Sequence, residues 1–237
     1  MDALETRYLD LVDAHLAYCE HGQGPDLLLL HGNSQSKRIF HRYQLEHFPD
    51  FHTVAVDSPG HGESTCRSDE LCYAGCCDAT CCLCERLGIT HCSIIGYSDG
   101  ANIALLMAKK APRLLEKVVL VSPNYRVHGM TPGTITVIRF FLRLLHALER
   151  LGLNTRNVYR RMKMMMEDLP ISEDDLRAMT ADITILHAEN DVIREEHLRD
   201  LAALIPGARL HQIAHCNHLS IMKQPEAIAG MKHSLAA

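Results

Sequence analysis

The chain has 237 residues, of which 47% are hydrophobic and 22% are charged, and its formal net charge is -5. This length suits one large α/β domain, and the composition is that of an ordinary globular protein, which excludes a disordered or fibrous chain. The absence of a basic excess argues against nucleic acid as a partner, and no apolar run is long enough to span a membrane. Because residues 1–5 begin acidic and lack the apolar core of a signal peptide, we expect a cytoplasmic protein.

The first part of the chain predicts strands. Alternating apolar and polar residues at 8–20, followed by a turn at 21–25, predict two antiparallel edge strands. Two short apolar runs follow at 27–30 and 53–56, and each ends in a segment that contains glycine. Such runs are typical of strands that are buried on both faces of a parallel sheet.

Eight of the ten cysteines lie between positions 66 and 92. A disulfide framework is disfavoured by the expected reducing compartment. A metal site is disfavoured because Cys76-Cys77 and Cys81-Cys82 are adjacent pairs rather than C-x2-C pairs. We favour a helix on which Cys77, Cys81 and Cys84 form one apolar face at i, i+4 and i+7. This interpretation predicts free thiols and no bound metal.

The strongest local motif is Gly96-Tyr97-Ser98-Asp99-Gly100, which lies between a predicted strand at 93–96 and a predicted helix at 102–111. A nucleophile elbow needs this context, because small flanking residues permit the strained turn that exposes the serine. An ordinary glycine-rich turn is the alternative. Ser98 is therefore the candidate nucleophile.

Further buried strands are predicted at 117–121, 183–186 and 208–213, each followed by helical sequence. This alternation predicts an α/β fold with a mostly parallel, doubly wound sheet. It stops between 130 and 180, where 135–151 and 158–166 have helical composition. We therefore expect a core formed by residues 1–129 and 181–237, with a helical cap inserted at 130–180. The methionines at 162 and 164–166 either fill that cap or line a substrate site.

A serine hydroxyl needs a base that takes its proton and a third group that orients the base. Asp191 follows the strand at 183–186, where α/β enzymes place catalytic groups, and Glu189 is a weaker candidate. The segment after residue 121 offers no carboxylate. His218 follows the last strand and is preferred over His215, because the order Ser, Asp, His accompanies this type of elbow.

Two backbone N–H groups are needed to stabilise an oxyanion. Asp99 follows the nucleophile, and the second donor is expected in the loop after the strand at 27–30, where Gly32 permits a close turn. Asn33 is our choice there, and Ser34 is the alternative. The Asp99 carboxylate is explained by the helix dipole, although it could also select substrates that carry an amine.

Five landmarks occur in one order along almost the whole chain: His31-Gly32, the segment Asp57-Ser58-Pro59-Gly60-His61-Gly62-Glu63-Ser64, the elbow, Asp191, and His218 with Gln224-Pro225-Glu226 downstream. With them the chain resembles the α/β-hydrolase fold family, in its capped serine esterase-like branch. The resemblance implies a nucleophilic Ser98, an acyl-enzyme intermediate, no metal and no cofactor.

The sequence therefore predicts a carboxylesterase-like serine hydrolase that acts on a small-molecule ester with a small or medium acyl group. Thioester, lactone or carbon–carbon bond hydrolysis by the same three residues stays open. Two hypotheses of other classes are a non-catalytic binding protein with a retained pocket and a thiol-rich metal or redox module. The oligomeric state does not follow from the sequence.

Overall fold

A nine-stranded sheet forms the centre of the computed structural model, which describes residues 4–236. Residues 1–3, on which part of the signal-peptide expectation rests, and residue 237 of the predicted core lie outside the described part. The strands are β1 (Arg7–Asp10), β2 (Ala14–His21), β3 (Asp26–Leu30), β4 (His52–Val56), β5 (Thr65–Cys66), β6 (Cys92–Tyr97), β7 (Leu115–Val121), β8 (Asp182–Asn190) and β9 (Arg209–Asn217).

The strand order is β1-β2-β4-β3-β6-β7-β8-β9, with β5 beside β2. The six strands from β4 to β9 in this order run parallel, and β2 pairs antiparallel with β1, β4 and β5. All six predicted core strands are present in the sheet. Parallel strands direct their carboxyl ends to one edge, so the loops after β3, β6, β8 and β9 meet there.

Helices cover both faces of the sheet. They are α1 (Tyr73–Leu87), α2 (Asp99–Lys110), α3 (Pro132–Arg150), α4 (Arg156–Met164), α5 (Glu173–Arg177), α6 (Glu195–Leu204) and α7 (Pro225–Ala236). Ile94 of β6 packs in the apolar cluster on the side of α1 and α2, whereas Ile95 packs in the cluster on the side of α7. Alternate residues thus face opposite layers, which explains the uninterrupted apolar runs and confirms the doubly wound fold.

The prediction of two antiparallel edge strands was right for β1 and wrong for β2. β2 pairs with β1 on one side and with β4 on the other, and Leu16, Ala17 and Cys19 within it are fully buried. The turn between β1 and β2 lies at residues 11–13, whereas the segment at 22–25 connects β2 to β3. The consecutive residues 16–19 of β2 are all buried, which is typical of an interior strand. The alternation of apolar and polar residues at 8–20 predicted an edge strand instead.

All ten cysteines carry free thiols. On α1, Cys77 and Cys84 are buried and Cys81 is half-buried, as the predicted helix face requires, and Cys76 is also buried. Burial raises the pKa of the Cys76 thiol well above its ordinary value. Within residues 4–236, no three His, Cys, Asp or Glu side chains are grouped so that they could hold a metal ion.

Helices α3, α4 and α5 lie between β7 and β8 in the chain, in the segment 130–180 that the sequence predicts to be a cap. Ile138 is the one residue of α3 that is buried. None of the helices within the described residues is both long and apolar enough to cross a membrane.

A buried ion pair joins the loop after β3 to the loop after β4. Lys37 and Asp57 are 1% and 0% exposed, and Lys37 Nζ lies 3.0 Å from Asp57 Oδ2 and 3.0 Å from Glu63 Oε1. Asp57 also accepts hydrogen bonds from the backbone N–H groups of Lys37 and Glu63. Burial alone lowers the pKa of Lys37, but its bonds to Glu63 and Asp57 outweigh burial and raise that pKa. The pair therefore fixes the loop that contains Asn33.

The substitution Lys37→Met should lower the free energy of unfolding by about 3–5 kcal/mol, because it leaves the Asp57 carboxylate buried without its cation. Urea denaturation measures this loss. As a control, Arg177→Met removes the exposed pairs with Glu173 and Asp174 and should cost less than about 1 kcal/mol. Equal, small losses in both variants would contradict the role of the buried pair.

Candidate active site

Ser98 lies in a sharp turn between β6 and α2, with φ 53° and ψ -117°. Its two glycine neighbours make this turn possible. A Cβ atom on Gly96 would lie 2.4 Å from the carbonyl oxygen of Gly100, and a Cβ atom on Gly100 would lie 2.1 Å from that of Leu30. Side chains are therefore excluded at both positions. A positive φ at a residue other than glycine costs about 1–3 kcal/mol, and such strain is concentrated at functional sites.

The structure brings Ser98, His218 and Asp191 together at the carboxyl edge of the sheet. His218 Nε2 lies 3.1 Å from Ser98 Oγ, and His218 Nδ1 lies 2.7 Å from Asp191 Oδ1. Because an ionised carboxylate only accepts hydrogen bonds, Nδ1 carries the proton of the neutral ring and Nε2 is free to accept from the Ser98 hydroxyl. This geometry can activate a hydroxyl nucleophile.

The two alternative residues lie apart from this group. The His215 side chain is 95% exposed, and its backbone N–H donates to Glu189 Oε2 at 2.7 Å. In the described part of the chain, neither side chain is hydrogen-bonded to Ser98 or His218. Glu189 instead helps to hold the end of β9, which directly precedes His218.

Asp191 is held by more donors than His218 alone. The Ser122 hydroxyl donates to Asp191 Oδ2 at 2.5 Å, and the backbone N–H groups of Ala188 and Ile193 donate at 3.1 and 3.2 Å. Burial by itself raises the pKa of Asp191. The hydrogen bond and charge of His218, together with the hydrogen bonds from Ser122 and Ala188, outweigh burial and lower that pKa. The carboxylate therefore stays ionised beside the imidazole.

Sequence reasoning missed Ser122. It directly follows β7, is fully buried and has a φ of 54°, which is unusual for serine. The signal in the sequence is its position, because Ser122 is the first residue after a buried strand whose following segment has no carboxylate. The hydroxyl serves the carboxylate of the next strand instead.

The loop after β3 passes directly beside Ser98. A Cβ atom on Gly32 would lie 3.1 Å from the Cβ of Ser98, so a larger residue would press on the serine. Within residues 4–236, no acceptor takes up the backbone N–H of Asn33 or of Asp99. Asn33 lines the cavity at Ser98 and Ser34 does not. The residues predicted to stabilise an oxyanion therefore both border Ser98.

A buried hydrogen-bond chain holds this loop. Asp99 is 4% exposed, and it accepts from Tyr73 Oη at 2.7 Å and from Asn33 Nδ2 at 2.8 Å. Asn33 Nδ2 also donates to the backbone oxygen of Arg161 in α4 at 2.8 Å. Burial raises the pKa of Asp99, and the bonds from Tyr73 and Asn33 oppose this rise. Sequence reasoning missed Tyr73, because nothing local marks it as a partner of Asp99.

His31 fixes the same loop from the other side. Its Nε2 accepts from the backbone N–H of Ser58 at 3.1 Å, so its Nδ1 carries the proton and donates to the Gly32 oxygen at 2.8 Å. Burial lowers the pKa of His31, which keeps the ring neutral. The landmark His31-Gly32 thus ties the loop after β3 to the loop after β4.

Ser98 and His218 open into a cavity of about 270 Å³. Apolar side chains from the inserted segment and from the loops after β8 and β9 form much of its lining: Met130, Ile138, Met165, Val192, Ile193 and Leu219. Of the methionines at 162 and 164–166, only Met165 lines this cavity. A cavity of this size and character suits a small or medium apolar group.

A larger cavity of about 670 Å³ lies between the turn at residues 11–13 and helix α1. Cys66, Cys72, Cys76 and Cys82 are among its lining residues, but Ser98, Asp191 and His218 are not. The residues with the geometry for bond cleavage therefore belong to the smaller cavity.

Comparison with known proteins concerns the family and the fold of the chain. A family profile described as "Alpha/beta hydrolase family" matches residues 27–231. The chain is 26% identical, over 240 residues, to the pimeloyl-[acyl-carrier protein] methyl ester esterase of Nitrosomonas europaea, and the match covers 86% of this chain and 93% of that protein.

Among solved structures, a hydrolase from Pseudomonas aeruginosa PA01 has a TM-score of 0.81 at 20% identity, with 100% of both chains covered. Carboxylesterase CesB (YbfK) from Bacillus subtilis has a TM-score of 0.79 at 17% identity, with 98% of this chain and 91% of that chain covered. These likenesses concern the fold, and the family profile spans most of the sequence. The chain belongs to the alpha/beta hydrolase family.

Proposed function

We propose that the protein is a serine hydrolase that cleaves carboxylic esters with small or medium acyl groups through an acyl-enzyme intermediate. The observation that carries this proposal is the position of the His218 ring, 3.1 Å from Ser98 Oγ and 2.7 Å from Asp191 Oδ1. The cavity of about 270 Å³ beside them supports a small-molecule substrate. The esterase activity named for the Nitrosomonas europaea relative agrees with an ester as the substrate class.

In the proposed mechanism, Ser98 Oγ attacks the acyl carbon while its proton passes to His218 Nε2. The tetrahedral intermediate then breaks its bond to the alcohol, which leaves with the proton held by Nε2. Water attacks the acyl group on Ser98, gives a proton to His218 and releases the acid, after which the hydroxyl of Ser98 regains the proton. Asp191 stabilises the imidazolium that forms in each half of the reaction.

The backbone N–H groups of Asn33 and Asp99 stabilise the oxyanion in this mechanism. The bond between the Asp99 carboxylate and Asn33 Nδ2, supported by Tyr73, holds the Asn33 backbone against Ser98. The Asp99 backbone N–H thus forms part of the oxyanion hole, and the Asp99 carboxylate positions the other donor, the backbone N–H of Asn33.

The segment 130–180 serves as the cap of this enzyme. Ile138 and Met165 come from this segment and line the cavity at Ser98. The bond between Asn33 and the Arg161 oxygen joins α4 of the cap to the loop of the oxyanion hole. The cap therefore limits the size of the acyl group.

The substitution Ser98→Ala should abolish hydrolysis of p-nitrophenyl esters and labelling by a fluorophosphonate probe, because both need the Ser98 hydroxyl. The control Ser68→Ala, which removes an exposed hydroxyl in another loop, should keep both activities. Gel fluorescence and p-nitrophenolate release measure the two effects. A folded wild-type protein that is never labelled would favour a non-catalytic binding protein.

The substitution Ser122→Ala should move the acidic limb of the pH profile of kcat/KM to higher pH. It removes a bond that favours the ionised Asp191, so the pKa of Asp191 rises from its lowered value. A protonated Asp191 cannot stabilise the His218 imidazolium, so activity is lost at a higher pH than in the wild type.

The matched control is Ser234→Ala, which removes the hydroxyl that donates to the Gly230 oxygen in α7 and should leave the limb in place. Rates with p-nitrophenyl acetate across the pH range give the profile. A limb that stays fixed or moves to lower pH in Ser122→Ala would contradict the role given to this hydroxyl.

The substitution Asp99→Leu should lower kcat by about 10²–10³-fold with little change in KM, the loss typical of one oxyanion donor. The backbone N–H of residue 99 remains, so the loss reports on Asn33. Asp99→Asn should retain most of the activity, because its amide oxygen accepts from Asn33 and its nitrogen donates to Tyr73 Oη. Steady-state kinetics with one p-nitrophenyl ester compares the three proteins.

Two outcomes would contradict the positioning role of Asp99. The first is a folded Asp99→Leu variant with the wild-type kcat. The second is a preference for amino-acyl over simple acyl esters that Asp99→Asn removes, which would assign the carboxylate to a substrate amine.

A further inference from the structure

The outward side of α3 and the loop after it carry most of the exposed apolar residues. Seven of the ten large apolar side chains that are exposed in residues 4–236 lie between positions 137 and 158. Phe140 is 62% exposed and Leu151 is 78% exposed. A single stripe at helical spacing is formed by Val137, Phe140, Phe141, Leu144 and Leu151. We call this stripe, together with Arg139, Arg143 and Arg150, the outer face.

The outer face is also cationic. Residues 132–164 contain seven Lys or Arg and one acidic residue, Glu149, although the whole chain has a net charge of -5. Arg139, Arg143 and Arg150 are exposed, and no carboxylate of the described residues lies within ion-pair distance of them. At 100° per residue, the apolar stripe lies on one side of the outward direction of α3, and these arginines lie on the other side. The helix thus presents apolar and positive side chains together.

Helices α3 and α4 both contact the rest of the protein, which defines the position of the outer face. Arg156 pairs with Asp69 at 2.9 Å, and an Arg161 guanidinium nitrogen donates to the Gly60 oxygen at 3.2 Å. Thr134 and Ile138, on the inward side of α3, line the cavity at Ser98. One helix therefore faces that cavity on one side and the surroundings on the other.

We propose that the outer face binds an anionic lipid surface, with α3 lying parallel to its plane. Large contiguous apolar patches are rare on surfaces that contact only water. A helix that combines exposed Phe and Leu with Arg is typical of binding in the plane of an anionic bilayer, where apolar side chains enter the headgroup region and cations meet the lipid phosphates.

The charge pattern decides between possible occupants. A second copy of the chain, placed by a two-fold axis, would present the same patch, in which Glu149 is the one carboxylate available to the arginines of either copy. An acidic protein would complement the charge, but Glu149 is the one acidic or amide side chain of α3 that could fix the orientation of a protein partner. The combination of apolar side chains with cations fits lipid, which needs no such orientation. Lipid binding does not depend on the chemistry of Ser98.

The test uses the full chain carrying Ser98→Ala, so that vesicle binding is measured without hydrolysis. We expect it to sediment with vesicles that contain phosphatidylglycerol, and to bind pure phosphatidylcholine vesicles far more weakly. The double substitution Arg139→Glu with Arg143→Glu should weaken binding to phosphatidylglycerol roughly tenfold or more. Phe140→Ser with Leu144→Ser should weaken binding to both kinds of vesicle.

Matched controls are Arg113→Glu, at the opposite edge of the sheet, and Val12→Ser, an exposed apolar residue far along the chain; both should bind as the parent does. Absence of sedimentation, or equal binding by all variants, would overturn the proposal. The proposal would also be overturned, in favour of an acidic protein partner, by a specific result with soluble polyglutamate. In that result the protein binds polyglutamate as tightly as it binds the vesicles, and Phe140→Ser with Leu144→Ser does not weaken this binding. The outer-face variants, made with Ser98 intact, should hydrolyse a dissolved p-nitrophenyl ester at the wild-type rate. Failure of lipid binding is therefore distinguishable from failure of the proposed hydrolase function.

Discussion

The candidate site depends on the position of the His218 imidazole between Ser98 and Asp191. Three parallel strands deliver these residues to one edge of the sheet, and further contacts remove the freedom that remains. Tyr97 Oη donates to the backbone oxygen of His218 at 2.7 Å, and Ser122 holds the carboxylate on its far side. The first contact fixes the backbone of His218, and the second fixes the carboxylate that holds the ring with Nε2 towards the Ser98 hydroxyl.

The second constraint is the close approach of backbone segments around Ser98. Hydrogen atoms at Gly96 and Gly100 let β6, α2 and the end of β3 meet where any Cβ atom would clash. The same approach places Asn33 beside the start of α2, where the Asp99 carboxylate binds its side chain. Since Asn33 also contacts α4, the loop after β3, the turn at Ser98 and the inserted helices form one connected unit.

The sequence predicted what local patterns determine. Buried parallel strands produce apolar runs, and Ser98, Asp191 and His218 follow those runs in a recognisable order. The strands could therefore be predicted, as could the three side chains that the structure brings together. Ser122 and Tyr73 could not, because their partners lie 69 and 26 residues away and only the folded sheet joins them. The interior position of β2 was missed for the same reason, since strand order is a property of the whole sheet. The outward direction of the stripe on α3 likewise needed coordinates.

The rate at which a fluorophosphonate modifies Ser98 in the wild type and in His218→Gln, with the adduct located by peptide mass spectrometry, tests most directly whether His218 activates the hydroxyl. We expect one adduct, on the peptide that contains Ser98, and a rate that falls by about 10³-fold or more when the imidazole is lost, because the hydroxyl then has no base. An adduct on another residue, or an equal rate in a folded His218→Gln variant, would contradict this role of His218.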